Sequence, residues 1–129
     1  MTPPRTAMGT LGAPRRASDL LPSERIYQAA ARLGAHWRQR PGAFVDIELG
    51  LEIELKALHY LDALYAIAGP RSARLRLWAY GDSLKRLQQV VREKYAQLDD
   101  LGMAIRVLRE DADRIWRVEA ASALVMALR

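Results

Sequence analysis

Two breaker pairs, Pro41-Gly42 and Gly69-Pro70, decide most of what this chain can become. Proline cannot continue a helix and glycine readily ends one, so the residues between the pairs form one element with a hard stop at each end. Upstream, Ile26, Ala30, Leu33 and Trp37 recur at helical spacing. They predict a helix over 22–40, with Pro22 in its first turn. Its outward stripe holds Arg25, Arg32 and His36, and Arg38 and Arg40 lie near the C-terminal end, where cations suit the helix dipole.

Between the breakers, residues 45–56 alternate apolar and polar without a fault, from Val45 to Lys56. Period two is the pattern of a half-buried strand. Glu48, Glu52 and Glu54 in the polar positions argue against it, because Leu and Glu favour helix and Glu is poor in strands. Residues 57–68 are plainly helical. A strand over 45–56 remains an alternative, but one helix over 43–68, packed on two sides, is the better expectation. It places Glu48, Glu52, Lys56 and His59 on one polar stripe.

Past Pro70 the pattern predicts a third helix over 71–98, with Gly81 either breaking it or sitting inside at a cost of about 1 kcal/mol. A heptad-like seam runs through Leu84, Leu87, Val91, Leu98, Leu101, Ile105, Leu108, Ala112 and Ile115, broken only at Lys94. A turn near Asp99-Asp100 or Gly102 divides it, since Asp is a good N-cap, and leaves a fourth helix over 101–127. The expected fold is therefore all-α: an up-down four-helix bundle over 22–129, preceded by a flexible Pro/Arg arm at 1–21. The uncharged run Ala120–Leu128 is a candidate subunit contact, pointing to a homo-oligomer.

Composition narrows the function classes. The chain has no cysteine, which removes disulfides, thiolate metal sites and cysteine nucleophiles. No run of 18 apolar residues and no signal-like core occurs, so a cytoplasmic protein without membrane insertion is expected. The net charge is +5 and the pI about 10.0, a balance that suits nucleic acid or an acidic protein. The charge is unevenly placed: 25–42 holds four Arg and no acid, 43–69 five acids and one Lys, and 70–98 seven bases and two acids.

No reaction is announced by these residues. Glu48, Glu52, Glu54, His59 and Asp62 invite a magnesium-dependent nucleotide hydrolase, because phosphate chemistry uses hard oxygen ligands. Glu54 points away from the other two glutamates, however, and no second acidic cluster matches them. A stripe pairing with basic neighbours is the simpler reading. His36 has no Ser or Cys partner motif, and the glycines form no phosphate loop. No catalytic residue, metal or cofactor is expected.

The three Trp and five Tyr could stack bases, but at helical spacing they read mainly as core. The better candidates for nucleic-acid contact are Arg25 and Arg32, then Arg71, Arg74, Arg76, Lys85, Arg86 and Arg92, then Arg106, Arg109 and Arg117. Several arginines of the last helix have Glu110, Asp111 or Asp113 as neighbours, which lowers the net field there.

With the helices placed, the order of landmarks resembles the four-helix-bundle proteins encoded in ribosomal-RNA intervening sequences, and their relatives, the accessory variability proteins of diversity-generating retroelements. The matching features are Tyr27, Pro41, the run Leu49-Gly50-Leu51-Glu52-Ile53-Glu54 leading to Ala57-Leu58, the opening Arg74-Leu75-Arg76, and Leu108 to Trp116. They cover about 22 to 118. The resemblance implies a homopentameric, non-catalytic barrel that binds a reverse transcriptase and its template RNA. The heavier acidic stripe on the second helix and the Pro/Arg arm depart from that pattern. A protein-interaction or structural subunit is the alternative.

Overall fold

The computed structural model describes residues 17–129, with side chains from residue 22 onward, and every regular element in it is helical. The helices are α1 (Ala17–Gln39), α2 (Phe44–Ala68), α3 (Arg71–Gln97), α4 (Leu101–Glu110) and α5 (Arg114–Ala127). The alternating segment 45–56 is helix, as propensity favoured over period. Of the expected arm, residues 1–16 lie outside the described residues, whereas 17–21 already belong to α1. Pro22 therefore sits inside the helix, where it costs one backbone hydrogen bond.

The fourth expected helix is two. Asp111 accepts from the backbone N–H of Asp113 at 2.8 Å, and Asp113 caps α5 by accepting from the N–H of Ile115 at 3.0 Å. Side chains that bind nearby backbone this way compete with a continuing helix. Two further aspartates set helix starts. Asp100 accepts from Met103 N–H at 2.9 Å, and Asp46 reaches back to the N–H groups of Gly42 and Ala43 at 2.7 and 3.0 Å.

α1, α2 and α3 run antiparallel in turn with α2 in the middle, and the short α4–α5 hairpin meets them where Phe44 begins α2 and Tyr95 ends α3. There Phe44 stacks on Tyr95 at 4.7 Å and meets the buried Trp116 edge-on at 5.0 Å. The core joins Leu51, Leu58 and Leu61 of α2 to Leu84 and Val91 of α3, to Leu98 at its C-cap, and to Ala104, Val107 and Ile115 beyond. Lys94, the apparent flaw in the seam, lies over the Trp116 ring at 4.7 Å and pairs with Asp111 at 2.5 Å.

Two apolar patterns do not do what their spacing predicts. The seam is buried at Leu84, Val91, Leu98 and Ile115 but not at Leu87, and across α4 it fails, since Ala104 and Val107 are buried there while Leu101, Ile105 and Leu108 are exposed. Half of the α1 stripe is likewise outside: Ile26 is 65% and Leu33 47% exposed, while Ala30 and Trp37 are half-buried. The face that α1 turns to α2 is centred instead on Gly34. A Cβ there would lie 2.6 Å from the carbonyl oxygen of Gly50, and one on Gly50 would lie 2.5 Å from that of Gly34. The absence of both side chains lets the two backbones touch, and that contact outweighs burial of the apolar stripe.

One turn from this crossing the interface is polar. Glu54 is only 2% exposed. It accepts from Arg38 Nε at 2.6 Å and from the Tyr80 hydroxyl, while Arg38 also donates to that hydroxyl oxygen at 3.2 Å. A buried carboxylate is tolerable only with such partners. Burial, then donation to Glu54, pushes the Tyr80 phenol above its ordinary range.

Candidate nucleic-acid interface

At about 100° per residue, Arg71, Trp78, Lys85 and Arg92 drift only about 20° per heptad, and Arg74 falls in the same sector. They form a single edge along α3. Arg71, Lys85 and Arg92 are exposed on it, and none is in an ion pair among the described residues. Arg71 also stands at the helix start, where its charge adds to the positive end of the dipole instead of opposing it. That placement is unfavourable for the helix and strengthens the field an anion meets.

Arg74 and Trp78 have a more structured role. Asp62 on α2 accepts from Arg74 Nε at 3.1 Å and from the Trp78 indole N–H at 2.8 Å. The Arg74 guanidinium also lies over the indole, 5.0 Å from its centroid. The hydrogen bond from Arg74, with that from Trp78, holds the Asp62 carboxyl below its usual range against the opposing effect of burial. Trp78 is thus clamped at its edge and on one face, yet stays 44% exposed. It is a fixed aromatic wall.

That wall borders a groove of about 360 Å³ between α2 and α3. Leu55 and Leu58 line it from α2, Leu77 and Gly81 from α3, and His59, Asp62, Asp82 and Lys85 supply polar atoms. The volume falls in the lower part of the range of small-molecule sites, about 300–1,000 Å³. Gly81 lies within α3, where glycine costs roughly 1 kcal/mol against alanine.

The other expected contact residues are scattered. Arg25 and Arg32 are exposed on the side of α1 opposite Gly34, Arg76 lies on the other edge of α3, and Arg86 on its outer back. Arg106 and Arg109 are exposed on α4, whereas Arg117 is half-buried and donates to the Asp111 carbonyl at 2.7 Å. Asp111 pairs with Lys94 and not with an arginine side chain, which corrects the pairing expected along the last helix. Of the eleven positions, Arg71, Arg74, Lys85 and Arg92 share a sector of about 60° along α3.

Spacing placed the aromatics mainly in the core, and the fold moves several out. Trp116 is buried, but Trp78, Tyr60, Tyr80 and Tyr95 are exposed. Gly81 is not among the expected contact residues, and Trp78 is named as a possible stacking residue but weighed as core. The seven-residue interval from Arg71 through Trp78 and Lys85 to Arg92 was the signal that marks Trp78.

The carboxylates of α2 do not converge. Glu54 faces α1 and Asp62 faces α3, while Glu48 and Glu52 remain exposed. Among the described residues no three His, Asp or Glu side chains come close enough together to hold a metal ion. No helix among the described residues is long and apolar enough to cross a membrane. No family model, curated protein or solved structure matches the chain.

Proposed function

We propose that this protein is a non-catalytic, basic accessory subunit that binds nucleic acid through the α3 edge. The observation that carries the reading is the row Arg71, Lys85 and Arg92, in no ion pair among the described residues and interleaved with the clamped indole of Trp78. Cations spaced along one helix edge track phosphates, and a held aromatic supplies a stacking surface. The resemblance to retroelement accessory proteins adds a reverse transcriptase and its RNA as the expected partners, and a cytoplasmic setting.

The test is binding of a labelled RNA or DNA oligonucleotide across a salt series. Affinity should fall steeply with salt, and reversing Lys85 and Arg92 should flatten the dependence. Salt-insensitive binding, or none, overturns the reading.

A second reading, a protein-interaction subunit, is favoured by one observation: the uncovered stripe of Ile26 and Leu33 on α1. Self-association is the simplest use of such a face, in line with the expected homo-oligomer and, by the resemblance, a pentamer. Native mass with and without nuclease separates the two, because a protein-mediated assembly survives nuclease and carries no excess absorbance at 260 nm.

A further inference from the structure

We infer that the α2–α3 groove seats one unpaired nucleobase, so that the chain selects single-stranded over duplex nucleic acid. The inference rests on the nucleic-acid reading above and names what the Trp78 site takes.

Gly81 carries most of the weight. Gly34 and Gly50 are demanded by packing, since a Cβ on either would fall within 2.6 Å of backbone. At Gly81 a Cβ would meet nothing nearer than Leu58 Cδ1 at 3.9 Å, an ordinary contact. Packing therefore does not require glycine here, although glycine is unfavourable inside a helix. What the missing side chain leaves is the open floor of the groove, one turn from Trp78 on one side and from Lys85 on the other.

The rest of the groove suits a flat, amphipathic ring. Leu55, Leu58 and Leu77 are apolar, the indole of Trp78 forms a fixed wall, and His59 with the carboxylates Asp62 and Asp82 offers polar atoms to a base edge. Lys85 stands at the rim, and Arg71 and Arg92 lie on the same edge, with successive heptad positions about 10 Å apart along α3. A base in the groove would thus have its phosphates beside cations. In a duplex the base faces are stacked and the Watson–Crick edges paired, so none can enter without being pulled from the helix.

The full chain should be tested by fluorescence anisotropy against a labelled 12-nucleotide single strand, the same strand in a blunt duplex, and nucleoside monophosphates as competitors. Wild type should bind the strand at least about tenfold more tightly than the duplex, the size of effect that one stacked base supplies. Gly81→Leu fills the groove and leaves the charges in place. It should cost the strand roughly 5- to 100-fold in affinity, towards the duplex value, with the salt slope unchanged. Gly81→Ala should stay within about twofold of wild type, since a single Cβ leaves most of the groove open. Should Gly81→Leu fail to fold by circular dichroism, Trp78→Leu takes its place with the same expected loss.

Equal affinity of wild type for strand and duplex overturns the inference, as does a folded groove variant that binds the strand like wild type. A monophosphate that competes as tightly as the strand makes the groove a free-nucleotide site and overturns the strand assignment. Salt-dependent binding without strand preference removes only the groove inference. No binding to any nucleic acid removes the nucleic-acid reading itself.

Discussion

Gly34 and Gly50 face one another across the α1–α2 crossing, each sitting where the other's carbonyl oxygen leaves no room for a Cβ. Four residues after each glycine comes a charged partner, Arg38 on α1 and Glu54 on α2, and these two pair at 2.6 Å. The crossing is thus held by a steric fit and an ion pair one turn apart.

Alanine at either glycine should be destabilising despite its better helix propensity. The obstructing atoms are backbone and cannot swing away, so a cost of about 3 kcal/mol is expected, at the upper end for overpacking. Gly81→Ala should do the reverse and stabilise by about 0.5–1 kcal/mol. Urea midpoints of the three variants check both signs, and equal effects at Gly34 and Gly81 would contradict the packing contrast.

Removing one partner of the buried pair should cost more than removing both. Arg38→Met leaves Glu54 buried with only the Tyr80 hydroxyl, for an expected loss of about 3–5 kcal/mol. The double variant Arg38→Met/Glu54→Leu replaces the pair with apolar volume and should recover most of that loss. A double-mutant cycle read from chemical denaturation measures the coupling.

Stability should fall at both ends of the pH scale. The Tyr80 and Tyr65 phenols are raised, first by burial and then by donating to Glu54 and Glu24. Their contribution is full below the ordinary phenol value of about 10 and is lost as pH climbs through the raised ones. Asp62 is lowered by Arg74. Burial acts to raise Asp111, but the bonds from Lys94 and the Asp113 N–H, with the charges of Lys94 and Arg117, together outweigh it and lower that group too. Both contribute above the ordinary carboxylate value of about 4, and the contribution is lost as pH falls through the lowered values. Tyr80→Phe should flatten the alkaline limb of a urea-midpoint profile and leave the acid limb unchanged.

Charge reversal on the α3 edge should act through salt. Lys85→Glu/Arg92→Glu is expected to reduce the slope of log affinity against log salt by roughly 1.4 for a single strand. The same change at Arg117, which is tied to the Asp111 carbonyl, should move the slope much less. Equal effects would mean that the edge is not the contact surface.

Leu33→Asp should lower the native mass if the uncovered α1 stripe joins copies of the chain. Leu33 is 47% exposed, so the fold itself should tolerate the change. Light scattering reads the outcome, and an unchanged mass would assign the stripe to another partner or to solvent.

Much of this protein was legible from local signals. Pro41-Gly42 and Gly69-Pro70 bound α2, and propensity settled 45–56 as helix, because stops, caps and helix preference act within a few residues. Asp100 marked the turn before α4 for the same reason. The heptad row on α3 was also present, since a period needs no neighbour to exist.

Which face each helix buries was decided only by tertiary structure. Ile26 and Leu33 carry the stronger apolar pattern, yet Gly34 wins the contact because Gly50 lies opposite, and no local pattern reveals that pairing. Glu54 reads only as a glutamate set apart from the stripe of Glu48 and Glu52 until Arg38 and Tyr80 surround it. Gly81 reads as a weak point of α3 until Leu58 and Trp78 show that the space beside it is open. Close approach, ion pairing and cavities are relations between distant segments, and those relations exist only once the chain is folded.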